Sequence, residues 1–131
     1  MTHESSFPDP FDARLFGHSK GGAVWILTHY FRYCNPDFPI ITVPTGTLTD
    51  GASIPRCFHN IMGPNGPWFK AAVIHDFLYS KQSCHHFPGV TRQMADQIFL
   101  QAMEDCGVGW VTRHTIYRAV RMFGWAFYKK S

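Results

Sequence analysis

His75 and Asp76 stand side by side in a stretch that is otherwise almost wholly apolar, from Trp68 through Ala71-Ala72-Val73-Ile74 to Phe77-Leu78-Tyr79. Apolar on nearly every side, this run predicts a buried helix over 67–79. An unpaired charge in such a helix costs several kcal/mol, roughly, so both side chains must be hydrogen-bonded, cation-bound or both. A perturbed, partnered ionisable pair of this kind points to a functional site. The same pattern also suits a buried hydrogen-bonded network with no chemistry of its own.

The rest of the chain supplies partners. At helical pitch His75 shares a face with Trp68, Ala72 and Tyr79, and Asp76 lies one step round, so both can flank a neighbouring helix. Thr91 reads as the N-cap of a second helix running to Cys106, with Ala95, Ile98, Phe99, Ala102 and Cys106 at helical spacing and Gly107 as the stop. Asp96 falls at the edge of that apolar stripe, beside Phe99 and Met103. If the two helices pack antiparallel, Asp96 reaches His75. Alternatively Asp96 is a solvated residue or the partner of Arg92 at i,i+4. A third helix is expected over 111–128, with Ile116, Ala119, Val120, Phe123 and Phe127 on one face.

A carboxylate bonded to one imidazole nitrogen fixes the tautomer and leaves the other as a base for activating water. His75 would be that base and Asp96 its orienter. Upstream, the segment from Val43 to Pro55, which carries Thr49-Asp50-Gly51-Ala52-Ser53-Ile54-Pro55, reads as a structured loop. Asp50 and Asp76 offer hard carboxylate oxygens, and the turn at Gly51 can present carbonyls, a set suited to calcium rather than zinc. Taken alone, Asp50-Gly51 is simply a turn.

Residues 1–22, with Pro8, Pro10, Gly17, Gly21 and Gly22, read as an irregular arm pinned by Phe7, Phe11, Leu15 and Phe16. Ala23 to Tyr33 and Ile40 to Val43 are β-branched and aromatic and flank the turn signal Cys34-Asn35-Pro36-Asp37, which predicts a hairpin within residues 23–48 and a small sheet of two or three strands. At 131 residues the chain fits a single domain able to close a hydrophobic core.

Composition narrows the function classes. The 12 Lys and Arg, the net charge of +3 and the lack of a dense basic cluster argue against a nucleic-acid binder. His75, Asp76, Arg118 and Arg121 interrupt the apolar runs, so no membrane span is expected, and Met1 to Ser6 carries no secretory signal pattern. Cys34, Cys57, Cys84 and Cys106 form no paired framework and read as reduced thiols, the alternative being a zinc site at Cys84-His85-His86.

Four strings in order, Thr49-Asp50-Gly51-Ala52-Ser53, Ala72-x-x-His75-Asp76-Phe77-x-Tyr79, Arg92 with Asp96 and Phe99, and Tyr117-x-Ala119-Val120-Arg121-x-Phe123-Gly124, resemble the prokaryotic phospholipase A2 pattern over residues 49–125. The whole chain, with Val43-Pro44-Thr45-Gly46 and Ile54-Pro55-Arg56, also resembles a family of small phage and prophage proteins. Added to the N-terminal β-hairpin or small sheet read from the residues, the phospholipase resemblance implies an α+β, mainly α, fold, with a three-helix core over 49–131 and two antiparallel site helices. It implies His75 as water-activating base, Asp96 as its partner, Asp50, Asp76 and the Gly51 carbonyl as calcium ligands, and Tyr79 and Tyr117 as supporting residues. The phospholipase pattern has Cys where this chain has Ala52 and Ala72, so a disulfide bracing the calcium loop is absent.

The implied activity is calcium-dependent hydrolysis of phospholipid esters at a membrane surface, in a host cytoplasm or a virion. The basic aromatic tail of Arg118, Arg121, Trp125, Phe127, Tyr128, Lys129 and Lys130 would seat the protein there, or would be a core helix with snorkelling cations. The competing expectation is a non-catalytic phage structural protein on the same scaffold, binding a phage or host protein.

Overall fold

The computed structural model describes residues 6–19, 22–49, 68–81, 83, 87, 89–126 and 128. Among these residues five short strands precede three helices, an α+β arrangement: β1 Ala13–Ser19, β2 Gly22–Leu27, β3 Phe31–Tyr33, β4 Ile41–Val43, β5 Leu48–Thr49, then α1 Trp68–Tyr79, α2 Arg92–Asp105 and α3 Trp110–Phe123. A 3-10 turn, Gly124–Ala126, follows α3.

The strands form two sheets, where the sequence suggests one. β1, β2 and β5 make an antiparallel sheet in which Leu15 faces Trp25 and Trp25 faces Thr49. β3 and β4 pair separately, Phe31 with Val43 and Tyr33 with Ile41. The expected hairpin is the second of these, and its turn is held as the side-chain chemistry predicts: Asp37 N donates to Asn35 Oδ1 at 2.8 Å and Phe38 N to the Asn35 carbonyl at 3.1 Å. The expected single strand over 23–33 is broken at Thr28, His29 and Tyr30.

The irregular arm is likewise corrected, because residues 13–19 form a strand. Its pairing with β2 supplies the backbone hydrogen bonds that the local composition does not forecast. Phe7 and Phe11 do pin the segment before it. Phe7 stacks on Phe31 and Tyr33 at ring separations of 5.6 and 5.0 Å, and Phe11 packs edge-on against Phe31 and Phe69. Asp9 adds a two-pronged ion pair to Arg32, at 2.7 and 3.0 Å, which draws its carboxyl below the usual range. Leu15 and Phe16 are exposed and take no part in the pinning.

In α1 the residues from Ala71 to His75 and from Phe77 to Tyr79 are buried, as an apolar helix requires. Helix α2 begins where Thr91 Oγ1 accepts from Met94 N at 3.1 Å, and its predicted inner face of Ala95, Ile98, Phe99, Ala102 and Cys106 is buried. Gly107, at φ +88°, turns the chain out of the helix in a conformation that L side chains rarely adopt. Helix α3 is shorter than expected. Ile116 and Val120 are buried, but Phe123 is exposed, so the inner face is narrower than the periodicity suggests.

Contacts along α1 and α2 run in opposite senses: Tyr79 and His75 both meet Asp96, the His75 ring stacks on Phe99, and the Cys106 thiol hydrogen-bonds the backbone at Ala71. The two helices are therefore antiparallel. Desolvation between them pushes the Cys106 thiol up to about 12, leaving it a small apolar core residue. At the far end of α2, Tyr33 Oη donates to Asp105 Oδ2 at 2.6 Å and Asn35 to the same oxygen at 2.9 Å, tying the β3–β4 hairpin to the helices.

Candidate functional site

The antiparallel packing brings His75 and Asp96 together with both side chains fully buried, His75 Nε2 lying 2.7 Å from Asp96 Oδ1. Tyr79, one helical turn after His75, donates its hydroxyl to the same oxygen at 2.5 Å. The His75 ring is sandwiched by rings of both helices, 4.2 Å from Tyr79 and 4.4 Å from Phe99. Packing against these two rings sets the direction of the imidazole more firmly than one hydrogen bond would.

The other carboxylate oxygen faces α3. Arg121 Nη1 donates to Asp96 Oδ2 at 2.7 Å, and Arg92 Nη1 lies 3.5 Å from it. The Arg92 guanidinium also donates to the carbonyls of Val120 and Arg121, at 3.0 and 3.1 Å, in the C-terminal turn of α3, where the Val120 carbonyl accepts from Gly124 N as well. Gly124 completes the joint, because a Cβ there would stand 2.5 Å from Tyr79 Oη and 3.2 Å from Arg92.

Burial by itself pushes the Asp96 carboxyl up, but hydrogen bonds from His75 and Tyr79, the charge of His75 and the Arg121 hydrogen bond outweigh it, and the net shift is downward from 3.8. Tyr79 moves the opposite way, raised by desolvation and by donation to Asp96. A group whose carboxyl is depressed on folding stabilises the native state above its unfolded value and loses that contribution as the pH falls through the folded one. Asp96 thus stabilises the fold fully above about pH 4 and progressively less below it. Melting curves from pH 7 to pH 2.5 should show the gap between the parent and Asp96→Asn closing at the acid end. A gap that stays constant would mean that the carboxylate charge contributes nothing.

An ionised carboxylate only accepts, so His75 Nε2 carries the hydrogen in this pair and Nδ1 is the nitrogen whose lone pair can take a proton when the ring is neutral. The arrangement can orient a base. Asp76, the next residue, is held at β5. It is half-buried, and Thr49 Oγ1 donates to its Oδ2 at 2.7 Å. Thr49 immediately precedes Asp50 in the chain, so Asp76 is held beside the strand that ends one residue before Asp50.

Asp50, Gly51, Ala52 and the Cys84-His85-His86 string lie outside the described residues. Among the described residues no three His, Cys, Asp or Glu side chains gather as a metal-binding group. A hard carboxylate oriented by a hydroxyl suits one ligand position of a calcium ion, whose remaining ligands are commonly carbonyls and further carboxylates. Tyr117 is half-buried on α3 and, among the described residues, makes no hydrogen bond to His75 or Asp96.

Two residues of the site were not legible in their roles. Arg121 reads from sequence either as a membrane-seating cation or as a snorkelling cation of a core helix, and Thr49 enters only as the first residue of the Asp50-Gly51 string, with no role of its own. A cue for Arg121 existed: α3 contains no acidic residue, so an arginine bound within the fold had to find its carboxylate on another element. Arg92 meets Asp96 at i,i+4 as one of the alternative readings expected, while also serving α3.

Comparison with known proteins adds a family and a relative. The family described as "protein of unknown function (DUF1353)" matches residues 25–120, from within β2 to the buried Val120. The "uncharacterized protein y4jT" of Sinorhizobium fredii (strain NBRC 101917 / NGR234) is 36% identical over 101 residues, which is 75% of this chain and 28% of that protein. The chain therefore spans less than a third of the length of the curated relative that it matches. No solved structure matches.

Proposed function

Because the chain belongs to the DUF1353 family of proteins of unknown function, its activity has to be argued from its site, and we propose a calcium-dependent, phospholipase A2-like hydrolase of phospholipid esters. The observation that carries this reading is the buried His75 Nε2 to Asp96 Oδ1 contact at 2.7 Å, with Tyr79 on the same oxygen. It brings together residues from separate strings of the phospholipase resemblance, and that proximity supports the roles the resemblance implies.

In this reading His75 takes a proton from water at Nδ1, and the hydroxide attacks the ester carbonyl. Asp96 holds the ring and stabilises the imidazolium, which then returns the proton to the leaving alcohol. Asp76, with Asp50 and the Gly51 carbonyl, would hold calcium. A bound calcium ion would supply Lewis-acid stabilisation of the oxyanion. Tyr79 fixes Asp96; Tyr117 lines α3 without joining the network, so a supporting role for it would be indirect. The resemblance of the whole chain to small phage and prophage proteins supports an origin in a phage, with action in the host cytoplasm or a virion.

The test is release of fatty acid from mixed phospholipid vesicles with calcium, with chelator, and with Asp76→Asn. Turnover with calcium, abolished by chelator and lowered at least tenfold by Asp76→Asn, is expected. Turnover indifferent to both treatments would overturn the calcium mechanism.

One observation favours a second reading, a non-catalytic phage structural or interaction protein. Arg121 and Arg92 both approach Asp96 Oδ2, so the carboxylate clasps α1, α2 and α3 together as well as orienting His75. A purely structural clasp predicts no hydrolysis of any lipid and no calcium-dependent change in melting temperature.

A further inference from the structure

The outer face of α3 is apolar where a helix on a protein surface is ordinarily polar. Trp110, Val111 and Met122 are 63%, 71% and 65% exposed, and Trp125 in the following 3-10 turn is 70% exposed, against 0% for Ile116 and Val120 on the inner face. Val111, Arg118 and Met122 recur at i, i+7 and i+11, one stripe of a helix, and Trp125 continues it three residues on. Trp110 flanks the stripe, stacked on His114 at 4.2 Å. Exposed large apolar groups aligned in this way mark an interaction surface rather than scattered surface residues.

The charge of this region says what covers it. From Cys106 to Ser131 there is no Asp or Glu, while Arg113, Arg118, Arg121, Lys129 and Lys130 all carry positive charge. Two of these arginines are engaged within the fold: Arg113 donates to the Val108 carbonyl and pairs with Glu104, and Arg121 binds Asp96. Arg118 is exposed in the middle of the apolar stripe, with no hydrogen bond or ion pair to the described residues. A second copy of the same face would set cation against cation. A lipid surface with anionic headgroups offers apolar depth for the tryptophans and methionine and negative charge for Arg118 at the same level.

We propose that the outer face of α3, formed by Trp110, Val111, Arg118, Met122 and Trp125, is the surface by which the protein docks on an anionic phospholipid bilayer. The choice of occupant rests on the lipid-hydrolase reading above; the surface itself does not involve His75 or Asp96. Arg121 belongs to the site and not to the docking face. The exposed apolar residues of the β1–β2 hairpin, Leu15, Phe16 and Trp25, provide an internal control, since the charges beside them in the chain, Asp12, Arg14 and Lys20, are of mixed sign, whereas residues 106–131 carry cations alone.

The experiment is co-sedimentation of the full chain with vesicles of phosphatidylcholine alone or mixed equally with phosphatidylglycerol, in chelator so that turnover is not needed. Binding to the mixed vesicles is expected, weaker binding to phosphatidylcholine, and a loss on the order of tenfold on mixed vesicles for Arg118→Glu. Met122→Ser with Trp125→Ser should lower binding to both, and Phe16→Ser should change neither. Because the altered side chains are exposed, unchanged melting temperatures confirm folding. Failure of the parent to sediment with either vesicle, or binding indifferent to the α3 variants, overturns the docking face. So does a parent dimer that these variants convert to monomer, which would assign the face to a second copy. Binding that follows the predicted pattern with no ester hydrolysis upholds the face and sinks the hydrolase reading.

Discussion

Replacing Asp96 with alanine should lower folding stability by about 3–5 kcal/mol, the cost of removing one partner from a buried ionic cluster. The carboxylate is fully buried and receives His75, Tyr79 and Arg121, with Arg92 within ion-pair range. Its loss leaves two guanidinium groups without that counter-charge, and a phenol and an imidazole without their acceptor. The lost side chain connects three helices, so the damage is to tertiary structure rather than to one element. Asp96→Asn should cost less, because the amide oxygen still accepts from His75 or Arg121, although its nitrogen now faces a donor. Urea unfolding of the parent and both variants measures this. Equal, small losses for the two would show that the cluster is energetically idle.

His75→Gln is expected to separate chemistry from stability. The glutamine amide can still donate toward Asp96 and fills part of the space between Tyr79 and Phe99, so a loss of about 1–2 kcal/mol is expected, within the common range for point substitutions. It has no basic nitrogen. If His75 activates water, ester hydrolysis should fall by roughly 10²–10⁴-fold, the usual contribution of a positioned general base, while vesicle binding through α3 stays as it was. The pairing of readouts decides between the two proposed functions. Hydrolysis that survives in a folded His75→Gln protein would remove His75 from the mechanism, and a large stability loss in a chain that never hydrolyses lipid would favour the structural clasp.

Much of the helical half is legible residue by residue. Thr91 caps α2 and Gly107 ends it because a hydroxyl three residues from a free amide, or a residue lacking Cβ at positive φ, acts over a few positions of chain. The buried stripe of α2 follows from the helical period, and placing Asp96 on its edge was enough to bring it within reach of His75. The Asn35 turn and the β3–β4 pairing follow equally from local chemistry. The β-rich half was harder to read. In β1 the glycine at position 17 coincides with a register shift in the pairing, and nothing in Ala13–Ser19 itself announces the partner strand that makes it regular.

Within the site the same division holds. An ionisable pair in an apolar helix demanded partners, and the helical period named Asp96 as a reachable one; those are consequences of which residues neighbour one another along the chain. That Asp76 turns to Thr49, that Arg121 points inward at Asp96 while Arg118 stays in water, and that Gly124 must lack a Cβ so that Tyr79 can pass are decided by how α1, α2, α3 and β5 pack. Helical periodicity assigns a residue to a face, but the direction of each face, and the charge waiting opposite it, come from elements 25 or more residues away in the chain.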